Sequence, residues 1–247
     1  PEEVGKLFGQ GVYISLAIAF VGILITWLLA PVILKTVLHS DTIATDSIEY
    51  LKIRIWGLPF LYVYQMRNAL LVGTNNSKYL ISGAIAETVA NVAFDYFFIF
   101  GHYGFPEMGL NGAAVASIIA EFIGMLVVFL VIHKKGIGKQ FSLFKHFYWN
   151  KKLSKQLFAI SLPIILQLAF SVMSWEFFYI LIEHHGQTDL AISNVMRNVF
   201  GLTGCLTWAF AATSSAMVSN IIGQGKQENV KALIIKIVRL SVGGAFV

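Results

Sequence analysis

Cysteine is nearly absent: Cys205 is the single one among 247 residues. That excludes a disulfide framework, and its place inside an apolar run predicts a small buried residue rather than a reactive thiol. Charge is also scarce. Asp, Glu, Lys and Arg make up 13% of the chain, against about 25% in ordinary soluble domains. Period-2 alternation of apolar and polar residues is missing, which excludes a membrane barrel. There is no zinc-ligand spacing and no nucleophile–base arrangement. Gly223-Gln224-Gly225-Lys226 lacks the spaced second glycine followed by Lys and Ser or Thr, so it is no phosphate loop. Neither catalytic residues nor a cofactor is expected. The net charge of +5 does not point to nucleic acid, because most of the basic residues gather in one segment.

What the chain has in abundance is long apolar runs. Hydrophobic residues make up 57% of it, with a mean hydropathy of +0.72. Runs of spanning length cover roughly 9–29, 50–72, 79–100, 110–132, 158–182 and 190–222, and another begins near Leu233. Each complete run meets the requirement of about 20 residues for a helical span, and Gly, Ser and Ala recur at frequencies suited to close helix packing in lipid. The expected fold is all-α and integral to a membrane.

Orientation follows from charge. The 134–156 segment holds Lys134, Lys135, Lys139, Lys145, Lys151, Lys152 and Lys155 without an acid, which places it in the cytoplasm. Alternation then puts the acidic 41–49 and 183–189 loops outside, with Lys78 and the 226–231 stretch inside. The 102–107 loop falls outside and carries no Lys or Arg.

Shifting the chain by 226 residues sets Glu2, Val4, Leu7, Val12, Ser15, Ala19, Phe20 and Val21 on Glu228, Val230, Leu233, Val238, Ser241, Ala245, Phe246 and Val247. Six spans separate the copies, so the two halves share an orientation, as in transporters built from parallel repeats. Three regions are expected: 1–133 as the later part of a first lobe, 134–156 as a cytoplasmic linker, and 157–247 as the early part of a second lobe. The chain opens at Pro1 and ends within an apolar run, which predicts an internal fragment of a protein with about twelve helices in two six-helix lobes.

The most informative run is 79–100. It carries Glu87, Asn91 and Asp95 on one broad face, with no Lys or Arg to neutralise them. An ionised side chain at mid-bilayer costs roughly 2.5–3.5 kcal/mol on insertion scales, so the face is expected to bind an ion or a proton.

Several motifs carry a family resemblance along essentially the whole chain. They are Gly57-Leu58-Pro59-Phe60, Gly73-Thr74-Asn75-Asn76-Ser77-Lys78, Asn91-Val92-Ala93-Phe94-Asp95-Tyr96 and Gly109-Leu110-Asn111-Gly112-Ala113-Ala114-Val115-Ala116-Ser117, followed by Ser161-Leu162-Pro163-Ile164 and Ile222-Gly223-Gln224-Gly225. In order and spacing the chain resembles the MATE (multidrug and toxic compound extrusion) transporters, here about helices 3–8 and the start of 9. The resemblance implies a monomeric antiporter of the inner membrane that exports small organic cations or drugs in exchange for Na⁺ or H⁺. It assigns Asn91, Asp95 and Ser117 to a cation or proton site, which would hold Na⁺ if that is the coupling ion. Such a cation needs clustered carboxylate, amide and hydroxyl oxygens, and the structural alternative is a hydrogen-bond network that only joins helices.

Glu87 reads either as a second titrating carboxylate or as a neutral hydrogen-bonding partner. Thr88 could add an oxygen, although packing is its commoner role. Glu176, beside Trp175 and Tyr179, is expected in a substrate cavity, where an acid and aromatic rings suit an organic cation; the rings could equally face lipid. Family branches that place this acid a turn earlier would have it at Ser171. Glu121 has no family role, and Arg67 or Arg197 are its candidate partners. Arg197 itself reads as a residue reaching toward the interface.

Two alternatives stand beside the antiporter. A lipid-linked oligosaccharide flippase of the same broad superfamily would need a cavity rich in Arg and Lys. A membrane enzyme would use His133 or His146 on the cytoplasmic side. His184-His185 is a weak metal signal on an external loop.

Overall fold

The computed structural model describes residues 2–37, 41–143 and 149–245. Lys145 and His146 of the linker, and Phe246 and Val247 of the repeat, lie outside the described residues, as do the side chains of Glu183, His184 and His185. Every element among the described residues is helical. The main helices are α1 (Glu2–Val37), α2 (Asp41–Arg54), α3 (Leu58–Gly73), α4 (Leu80–Phe100), α5 (Gly109–Lys134), α6 (Ile137–Gln140), α7 (Lys151–His185), α8 (Gln187–Gly223) and α9 (Val230–Ala245).

Four helical segments, Glu2–Val37, Ser77–Phe100, Gly109–Lys134 and Lys151–Tyr179, are each long and apolar enough to cross a membrane. The two limbs of α8, Thr188–Leu202 and Thr207–Gly223, are long and apolar enough only when taken together, and they bend by 44° at the break, beside Gly201 and Gly204. Large apolar side chains such as Phe20, Leu28, Ile81, Val89 and Phe170 are exposed along these helices, which suits hydrocarbon rather than water. Cys205 is exposed too, not buried as its apolar neighbours suggested.

The 50–72 run is not one uninterrupted α-helix. It divides into α2 and α3 across a 3₁₀ turn at Ile55–Gly57. Pro59 at the start of α3 has no N–H to donate, and its ring crowds the carbonyl four residues back, so the α ladder breaks there.

The chain forms two compact units, Pro1–Leu157 and Phe158–Val247. In the first, α5 packs against α4, α3 and α2, and α1 packs against α3 and α2. Its sequence explains this central place. Gly112, Ala116, Ala120 and Gly124 recur every fourth residue and are buried, with Val128 and Ile132 continuing the stripe. Small residues at that interval let helix backbones approach closely in lipid, where dispersion and backbone contact replace the hydrophobic drive. Along this stripe the tightest glycine is Gly112, where a Cβ would lie 2.5 Å from the Phe98 carbonyl oxygen.

The described parts of the Lys-rich segment, up to Leu143 and from Trp149, pack onto this unit. Gly136 takes a left-handed turn (φ 70°) into α6. Ile137 and Leu143 then enter a core with Phe8, Val12, Tyr64, Leu71 and Ile132. Gly5 on α1 faces the Phe141 and Ser142 carbonyls, leaving no room for a side chain. Gln10, fully buried, accepts hydrogen bonds from the Asn150 backbone N–H (3.1 Å) and the Ser154 hydroxyl (2.9 Å). Gln10→Leu would strand those donors at a cost of about 1–3 kcal/mol. The expected outcome is faster limited proteolysis of the 134–156 segment, with unchanged cleavage elsewhere.

In the second unit α8 packs against α9. The α8–α9 turn has the conformation of the α3–α4 turn. Asn75 (φ 60°) and Gly225 (φ 74°) are both left-handed, and each turn leads into a 3₁₀ segment before the next helix.

Candidate cation or proton site on the first unit

The site face belongs to α4, which runs antiparallel to α5. Their register follows from close approaches: Phe98 lies against Gly112, Asn91 against Ser117, Glu87 against Gly124 and Gly83 against Val128. Glycine on α5 at 112 and 124 brings the polar face of α4 onto the helix rather than to its flank.

The structure brings Asn91 and Ser117 together: the Asn91 amide donates to the Ser117 hydroxyl at 3.5 Å. The amide oxygen of Asn91 is thereby left as an acceptor. Asp95 stands one turn along the same face, and its Oδ1 is shielded from solvent without a hydrogen-bond partner. A buried, unpartnered carboxylate oxygen calls for a proton, an ion or water. The three residues offer carboxylate, amide and hydroxyl oxygens carrying one formal negative charge, which matches a monovalent hard cation or a proton. Among the described residues no group of three or more His, Cys, Asp or Glu could hold a metal.

Glu87 is half-buried one turn from Asn91 and packs on Gly124. Thr88 is exposed and does not join the Asn91–Ser117 pair.

Glu121 is buried, and its partner is neither Arg67 nor Arg197. Arg54, at the end of α2, makes a two-pronged pair with it: Nη2 to Oε1 at 2.5 Å and Nη1 to Oε2 at 3.1 Å. Gly57 makes room, because a Cβ there would collide with both charged groups. Sequence reasoning missed Arg54, although a depth count would have found it. Both residues lie about the same number of residues from the N-terminal ends of their helices, α2 and α5. Arg67 instead donates to the Met125 carbonyl at 2.7 Å and lies over the Phe129 ring at 5.0 Å.

In the second unit, taken by itself, a cleft of about 1000 Å³ lies between α7 and α8. Trp175 and Tyr179 line it, with Ser171, Ser174, Ser193 and Arg197 as its polar groups. Glu176 is exposed and is not among the lining residues. The charge beside the rings is therefore positive, with the Arg197 guanidinium 5.2 Å from the Tyr179 ring centre. His133 stacks on Phe129 near the end of α5.

The MatE family model matches residues 1–97. Relatives run through almost the whole chain. A probable multidrug resistance protein NorM of Rhizobium meliloti (strain 1021) is 24% identical over 247 residues, covering 99% of this chain and 52% of that protein. Probable multidrug resistance proteins NorM of Halalkalibacterium halodurans and Bacillus cereus are 25% and 22% identical, each covering 93% of this chain. The chain spans about half the length of the curated relatives it matches. Members of this family are transporters, so the enzyme reading built on His133 and His146 goes no further. The family match over residues 1–97, the relatives and a helical architecture with several membrane-spanning candidates agree: the chain is similar to the MATE family of multi-pass membrane transporters.

Proposed function

We propose that the chain is the central part of a twelve-helix antiporter that exports small organic cations or drugs, driven by inward movement of Na⁺ or H⁺. The carrying observation is the shielded, unpartnered Oδ1 of Asp95 beside the Asn91–Ser117 pair. Its single charge suits a monovalent coupling ion, and the likeness to probable multidrug resistance proteins supports the class of substrate. Glu87, a turn away, extends the polar face; Thr88 stays at its edge. In this reading segment 134–156 lies on the cytoplasmic side, and regions 1–133 and 157–247 belong to two lobes. Loading the first-lobe site would bias the transporter between inward-open and outward-open arrangements.

Arg197 favours a second reading, because it is the charged group lining the cleft beside Trp175 and Tyr179. A lipid-linked oligosaccharide flippase would use such a guanidinium for a pyrophosphate. Proteoliposomes holding the complete transporter separate the two. Export of a fluorescent cationic dye is expected only when an inward Na⁺ or H⁺ gradient is imposed. Gradient-independent movement of a pyrophosphate-linked lipid, without dye export, would favour the flippase and sink the antiporter.

A further inference from the structure

We propose that the end of the α4–α5 hairpin next to the Lys-rich segment binds the headgroup of an anionic phospholipid, through the ammonium groups of Lys78 and Lys135 held at the Tyr79 ring. Only the crossing of a membrane by α4 and α5 is required, and the antiporter reading above plays no part.

Segments distant in sequence converge there. Because α4 and α5 run antiparallel, the turn before α4 meets the end of α5. Tyr79 closes the 3₁₀ turn at Ser77–Tyr79 and packs on the core cluster that also takes Ile132 of α5, Ile137 of α6 and Leu143. Its ring receives cations from two elements. The Lys78 Nζ lies 5.1 Å from the ring centre and the Lys135 Nζ 5.6 Å. Gly136 then turns the chain in the left-handed conformation, and buried Ile137 ties α6, which carries Lys139, to the same cluster.

An ammonium group over an aromatic face is steadied by the ring quadrupole, yet it still has three N–H donors. Among the described residues neither Lys78 nor Lys135 makes an ion pair or a hydrogen bond, so those donors remain for a ligand. Lys78, Lys134, Lys135 and Lys139 are all exposed. The acids at this end of the first unit are Glu2 and Glu3, in the first turn of α1. A phosphate is the matching ligand, since Lys engages it as a point charge with several donors.

Position selects a lipid phosphate over a soluble one. Exposed apolar side chains begin within about a turn and a half of the lysines on both helices, with Ile81 and Ile85 on α4 and Leu130 on α5. Acyl chains can lie along those faces while the headgroup sits at Lys78 and Lys135. Tyr79 stands at the level where aromatic residues mark the membrane–water interface. Basic pockets between spanning helices on the cytoplasmic side suit anionic headgroups, which enrich that leaflet.

The test is native mass spectrometry of the complete transporter in detergent, titrated with phosphatidylglycerol or with phosphatidylcholine. The parent should retain phosphatidylglycerol preferentially. A lysine near an anionic surface contributes about fivefold to binding, so Lys78→Gln with Lys135→Gln should weaken phosphatidylglycerol binding by about 20-fold. Tyr79→Leu removes no charge but frees both ammonium groups, and should weaken binding by roughly two- to fivefold. Lys226→Gln with Lys231→Gln removes the same charge from the second unit and should leave the affinity at the parent value. Phosphatidylcholine bound as tightly as phosphatidylglycerol overturns the proposal, as does an affinity unchanged in the Lys78, Lys135 variant or in Tyr79→Leu. An equal loss in the Lys226, Lys231 variant overturns it as well, since net charge alone would then govern binding. Displacement of the lipid by inorganic phosphate would overturn the assignment to a lipid headgroup.

Discussion

Asp95→Asn is expected to abolish cation-coupled export by the complete transporter while leaving it folded. Asn91 and Ser117 are neutral, so Asp95 supplies the whole formal charge of the three-oxygen set. An amide of the same shape keeps the packing and removes that charge. Residues behind the direct ligands of a bound ion typically contribute about 10–100-fold to its affinity, and a direct charged ligand contributes more. Coupled export should therefore fall by about 100-fold or more. The shielded Oδ1 makes no hydrogen bond, so no native partner is stranded by the change, and the melting temperature in detergent should move little. Undiminished gradient-driven dye export in proteoliposomes would remove Asp95 from the site.

Gly112→Ala is expected to be among the most damaging single-methyl changes in the first unit. The added Cβ would sit 2.5 Å from the Phe98 carbonyl oxygen, 2.6 Å from its carbon and 3.0 Å from the Ile99 nitrogen. All three are backbone atoms of α4, so no side-chain rotation relieves the overlap and one helix must move off the other. Overpacking commonly costs about 1–3 kcal/mol, and a backbone collision belongs at about 3 kcal/mol. The displacement would also pull Asn91 from Ser117, whose contact is already long. Loss of both thermal stability and coupled export is the expected result. Gly73→Ala is the matched control, since nothing lies within 4 Å of its would-be Cβ; a substitution there should stay within about 0.5 kcal/mol of the parent. Equal melting of the two variants would mean that α4 and α5 do not touch at Gly112.

These outcomes depend on features of different visibility. The α4 site face could be read directly, because an acid in a 20-residue apolar run is conspicuous and helical periodicity places Glu87, Asn91 and Asp95 on one side. The contact of Asn91 with Ser117 was reachable only through family resemblance, since 26 residues separate them and periodicity says nothing about which helices pair. Three features escaped for physical reasons. Pro59 interrupts the 50–72 run without altering its hydropathy, so the α2–α3 break leaves composition unchanged. Linker lysines marked the segment only as a cytoplasmic boundary, and periodicity gave no sign that the interspersed Ile137 and Leu143 would pack into the core with Phe8 and Val12 of α1, with Gln10 bonding Asn150 and Ser154 beyond them. Trp175, Glu176 and Tyr179 looked like one cluster because they are close in sequence. On a helix, however, residue 176 points about 100° away from residue 175, and the cleft takes the rings with Arg197 and leaves the acid outside.

By itself the sequence determined the solvent, the secondary structure and the location of the costly charges, because hydropathy and helical period are local properties of the chain. Tertiary structure alone decided which charges are neutralised. Arg54 and Glu121 lie 67 residues apart and meet only because a stripe of small residues on α5 and the bare Gly57 bring α2, α3, α4 and α5 together around one polar level. Ion pairing depends on distances of a few ångströms between helices, and those distances are set by packing.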